Sequence, residues 1–74
     1  MSEKRPGWHR HPNGGGWVQD TASVEETAHI GPDAEVYGTA WVFETAEVFG
    51  SARVYGNAQV FGDAQVFGNA WVYG

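Results

Sequence analysis

From Val18 onward the chain repeats every six residues, and that period decides what it can fold into. Stepping by six, the first position reads Val18, Val24, Ile30, Val36, Val42, Val48, Val54, Val60, Val66 and Val72. The fifth reads Ala22, Ala28, Ala34, Ala40, Ala46, Ala52, Ala58, Ala64 and Ala70. The fourth is always Thr, Asp, Ser or Asn, and the third is mostly Gly from Gly38 onward. An α-helix turns every 3.6 residues, so a six-residue period cannot keep one side chain on one helical face. A short strand, Ala-x-Val-x, followed by a two-residue corner can. Alternation along such a strand turns Ala and Val inward and sends their neighbours outward. Gly, Asn and Asp suit the corners because they tolerate positive φ.

A longer period lies beneath the first. The residue after each aliphatic reads Tyr37, Phe43, Phe49, Tyr55, Phe61, Phe67, Tyr73, so Tyr-Phe-Phe returns every 18 residues. Three hexads per turn make a triangular coil, with three turns between Val18 and Trp71. Tyr37, Tyr55 and Tyr73 then form one outer column, Phe43 and Phe61 a second, and Phe49 and Phe67 a third. The same register sets Glu35 beneath Arg53, an opposite-charge pair between adjacent turns.

The pattern aliphatic–x–x–x–small–x, as in Ile30-Gly31-Pro32-Asp33-Ala34-Glu35, resembles the hexapeptide-repeat family across residues 18–74. That resemblance implies an all-β fold, a left-handed parallel β-helix of three 18-residue coils with an irregular N-terminal cap. The stretch "HPNGGGWV" (residues 11–18) is similar to the start of small hexapeptide-repeat proteins of phages and prophages. It implies a phage-encoded inhibitor of a host or defence protein, of the anti-CRISPR kind. The family also includes acyltransferases, which use a catalytic His and bind acyl donors between subunits. Here the second hexad position is aromatic seven times, where that family commonly has a small residue.

Residues 1–17 break the repeat and are expected to form a tail and cap ahead of the repeat domain, 18–74. Solenoid ends expose core and unpaired backbone, so a cap is needed. Trp8 or Trp17 is expected to cover the first coil, with residues 1–6 mobile. The other end shows no such cap, and its edge is expected to be covered by another chain or tolerated.

With no Cys there is no disulfide framework and no thiolate metal site. No apolar run approaches the ~20 residues that span a bilayer, so the expectation is a cytoplasmic protein without membrane contact. Net charge is −5, and residues 12–74 hold only Arg53 against eight acids. Such a body repels phosphates, which argues against direct nucleic-acid binding.

The candidates for chemistry are weak. Gly14-Gly15-Gly16 lacks the Lys-Ser/Thr of a phosphate loop and reads as a capping turn. His9 and His11 offer two ligands with no third and read as a surface pair. His29 falls above Glu47 with no inserted loop beside it, and reads as a surface His borrowing that charge rather than a general base. No enzyme activity, metal or cofactor is expected. An acyltransferase-like activity is the runner-up, for which coenzyme A binding is the discriminator. A filament-forming structural module is the third reading.

Function is therefore sought on the surface. Seven outward aromatics, each able to bury ~150–250 Å², exceed what a monomer ordinarily leaves exposed. Self-association is expected through Phe43, Phe49, Phe61, Phe67, Val72 and Tyr73, either face to face or through the C-terminal edge. A protein partner is expected on Tyr37, Tyr55, Trp41 and Trp71. The acids Glu25, Glu26, Glu44 and Glu47 would steer that partner's basic surface.

Overall fold

The computed structural model describes residues 6–74; the calls made on Met1–Arg5 lie outside them. Those residues form strands and turns, with no helix among them. The strands are β1 (Trp8–Arg10), β2 (Trp17–Gln19), β3 (Ser23–Val24), β4 (His29–Ile30), β5 (Glu35–Val36), β6 (Trp41–Val42), β7 (Glu47–Val48), β8 (Arg53–Tyr55), β9 (Gln59–Val60), β10 (Gln65–Val66) and β11 (Trp71–Tyr73). They form three sheets, ordered β1-β2-β5-β8-β11, β3-β6-β9 and β4-β7-β10. Every pairing is parallel except β1 on β2. The chain is thus a β-solenoid of about three turns.

The register follows the hexads. Val18 lies beside Val36, Val36 beside Val54, and Val54 beside Val72. The core is a stack of Ala and Val, with Ile30, Val36, Val42, Val48 and Val54 all at 0% exposure. Alternation along each strand turns Ala and Val inward, which is why the aromatics that follow each Val stand outside.

The corners are held by two ladders of side-chain hydrogen bonds. Fourth-position hydroxyls donate to the third-position carbonyl one turn on: Thr21 to Gly38 O at 2.5 Å, Thr27 to Glu44 O at 2.7 Å, Thr39 to Gly56 O at 3.0 Å and Thr45 to Gly62 O at 3.1 Å. Side-chain oxygens accept from the third-position N–H: Gln19 from Gly38 at 2.8 Å, Glu25 from Glu44 at 2.9 Å and Glu44 from Gly62 at 2.8 Å. From Gly38 to Gly68 the third position has positive φ, which explains its glycines. Glu44 occupies it at φ 63°, the one non-Gly residue so placed among the described residues.

The cap differs from the one expected. Trp8 and Trp17 do not cover the core. Trp8 lies against Tyr37 on the outside, 5.8 Å between centroids, and Trp17 carries the Arg10 guanidinium 4.1 Å above its ring. The buried cap residue is His11, at 3% exposure, with Nε2 2.8 Å from Ala28 O. A carbonyl can only accept, so Nε2 carries the proton. Gly14 and Gly16 let the loop lie flat on the first turn. A Cβ on Gly16 would stand 2.2 Å from Ile30 Cγ2, and one on Gly14 2.3 Å from Ile30 O.

Candidate interaction surfaces

The outer columns form as the register requires. Tyr37 stacks on Tyr55 at 5.0 Å and Tyr55 on Tyr73 at 5.3 Å, with planes 5° and 17° apart. Phe43 stacks on Phe61 at 5.2 Å, and Phe49 on Phe67 at 5.3 Å. Trp41 meets Phe43 edge-on at 5.6 Å, and Trp71 meets Tyr55 edge-on at 6.3 Å. Each ring hides one face of its neighbour, so Tyr37, Phe43, Phe49 and Tyr55 are half-buried within the chain. Exposure concentrates late in the solenoid: Phe61 53%, Phe67 56%, Trp71 59% and Tyr73 67%, with Trp41 at 50% as the early exception. Val72 is half-buried, packed on the end of the core.

Stacking also tunes the Tyr column. The Tyr55 phenol is raised above its ordinary 10.0, first by desolvation and then by the neighbouring phenols of Tyr37 and Tyr73. Arg53 opposes this, standing 5.8 Å from the Trp71 ring and 3.8 Å from Glu35 Oε1. The Glu35–Arg53 pair foreseen from the register is therefore present.

The acids divide by role. Glu25 and Glu44 each spend one carboxylate oxygen on a corner amide, so they build the corner as well as charge the surface. Glu26 is exposed at the next corner position. Glu47 accepts from Gln65 Nε2 at 3.3 Å, not from His29. That corrects the expected His29–Glu47 pair. The two residues are opposite in register, but His29 turns toward the cap, with Nδ1 3.4 Å from Asn13 Oδ1. They line an open groove with Asn13, Thr27, Thr45 and Phe49. A base turned away from its carboxylate, in a groove open to water, is poorly placed for general-base work.

His9 and His11 also part company. His11 is buried in the cap, which corrects its reading as a surface residue, while His9 Nδ1 lies 2.7 Å from Asp20 Oδ1 at the surface. Among the described residues no three metal-ligating side chains cluster, and no helix is long and apolar enough to cross a membrane. Two features escaped the sequence reading. His11 lies outside the repeat and gave no periodic signal. Glu44 did give one, since it stands where Gly38 and Gly50 stand. Comparison with family models, with curated proteins and with solved structures returned no match.

Proposed function

We propose that the chain is a non-enzymatic, self-associating protein-binding module, wound as a left-handed solenoid of 18-residue coils. The observation that carries this reading is the set of outer aromatic columns, which stay half exposed in the later turns even after stacking. Rigid, stacked rings lose little freedom on binding, and aromatics are the residues that anchor interfaces. Self-association uses the Phe43–Phe61 and Phe49–Phe67 columns with Val72 and Tyr73. The Tyr37–Tyr55–Tyr73 column, whose hydroxyl tips keep it wettable, receives the partner with Trp41 and Trp71. The partner's surface is basic, because Glu26 and Glu47 stay exposed or half exposed without holding the backbone. On the resemblance of residues 11–18 to phage proteins, the partner is a host or defence protein that the module inhibits in the cytoplasm.

Filament growth by head-to-tail stacking is less well supported. The cap covers part of the first turn, so a second copy would have to displace it. Sedimentation velocity tests the main reading. Phe61→Glu should shift an oligomer toward single chains while leaving circular dichroism unchanged. An unaltered sedimentation coefficient in that variant counts against the Phe columns.

A further inference from the structure

The first turn is closed on two of its three sides. β1 lies along β2, and the 11–16 loop lies on β4, where Gly16 N donates to Ile30 O at 2.9 Å and Ile30 N to Asn13 O at 3.0 Å. Among the described residues nothing lies on the corresponding side of β3. Burial records the difference. Val18 and Ile30 are 1% and 0% exposed, yet Val24, at the same hexad position in the same turn, is only half-buried.

Among the described residues the backbone is open there too. β3 reaches β6 through Ser23 N to Ala40 O and Glu25 N to Val42 O, both at 2.9 Å. Alternation then turns the N–H and C=O of Val24 the other way, toward the uncovered side. An unpaired strand edge of this kind is a template for another strand. A groove of about 490 Å³ straddles it, with Val24 and Val42 on the inner side, Ser23, Trp41 and Phe43 on the outer, and His9 at one end.

We infer that the β3 edge is a strand-addition site for an extended segment of a partner protein carrying a basic side chain. The inference rests on the protein-binding reading above and supplies that reading with a second site. The missing strand fixes the partner's form. Its backbone pairs with Val24, an aliphatic side chain caps the Val24–Val42 column, and its flanking residues point outward beside Ser23 and Glu25. Charge fixes the partner's chemistry. Among the described residues no Lys or Arg lines the groove, while Glu25 does. One oxygen of Glu25 holds Glu44 N, and the other has no hydrogen bond among the described residues. The exposed Trp41 indole beside Phe43 offers a ring face to the same cation.

The probe is the peptide acetyl-Thr-Lys-Val-Lys-Thr-amide, added at millimolar concentration to the isotopically labelled full chain. In the free protein the Val24 amide should exchange freely with solvent. With the peptide it should slow by about tenfold or more, as a newly paired strand amide does. Val24, Glu25 and Trp41 resonances should move with it. The Glu counterpart, acetyl-Thr-Glu-Val-Glu-Thr-amide, should leave them in place. Val24→Pro removes the outward N–H while leaving the β3–β6 hydrogen bonds intact, and edge strands tolerate proline. It should weaken binding by about tenfold or more. Ser23→Lys, an exposed change that adds a repelling charge, should do the same and decides the matter if the proline variant does not fold.

Equal binding of the two peptides, shifts confined to the Tyr column, or no response at Val24 overturns the proposal. So does a Val24 amide already protected in the free protein, whether by the chain's own first residues or, if protection grows with concentration, by a second copy. Should the peptide leave β3 untouched while Phe61→Glu still dissociates the oligomer, only this site is lost. Should the reverse hold, the Phe columns are lost and this site stands.

Discussion

The two ends of the solenoid carry the same hexads and meet different fates. In the first turn Val18 and Ile30 are sealed beneath β1, His11 and a glycine loop. In the last turn Ala64 and Ala70 are exposed, and Val66 and Val72 are only half-buried. How far an inward-facing residue is buried therefore depends on the turn beside it as well as on its own position in the repeat, and Val60, last in its sheet, is still only 4% exposed. Beside Ala28 and Ile30, where no earlier turn lies, a residue outside the repeat stands in. His11 does so with one ring, which fills space and satisfies the Ala28 carbonyl at once.

Truncations should separate the ends most strongly. Ile30→Ala should cost about 2–5 kcal/mol in urea unfolding, the range for a sealed core site. Val72→Ala, in a half-open site, should stay near about 0.5 kcal/mol. Equal costs would break the comparison. Next comes His11→Ala, expected to cost about 1–3 kcal/mol because Ala28 O is left buried and unbonded. A smaller contrast lies in the glycines. Gly16→Ala forces a Cβ into Ile30 and should cost about 1–3 kcal/mol. Gly68→Ala meets no atom within 4 Å and bears only the left-handed backbone penalty, about 1–2 kcal/mol.

The smallest effect is a pH dependence. The Tyr55 phenol binds its proton more tightly folded than unfolded, so its contribution is complete below pH 10.0 and declines as pH rises past it. Tyr55→Phe should flatten the fall in stability above pH 10.0. A steeper fall in that variant contradicts the stacked column as its cause.

These contrasts also show where the sequence stops being informative. The stacked turns, the three aromatic columns and the Glu35–Arg53 pair were legible because each is a consequence of period, and period is written in the residues. The cap was not legible. His11 and Trp8 are each used once, so no recurrence separates the buried side chain from the outer one. Glu25 and Glu44 read as surface charge because a corner amide that needs an acceptor leaves no mark in the sequence. His29 read as Glu47's partner because register places residues opposite one another but does not orient side chains.

The same comparison frames the functional claim. At the first turn Val18 and Ile30 are covered from within the chain, whereas Phe61, Phe67, Trp71 and Tyr73 are more than half exposed. Copies of the chain are proposed to cover them. Light scattering behind a sizing column measures this most directly, on the full chain at micromolar concentration. The expected mass is a whole-number multiple, two or more, of the 8.1 kDa chain. A stable species of 8.1 kDa throughout that range contradicts it.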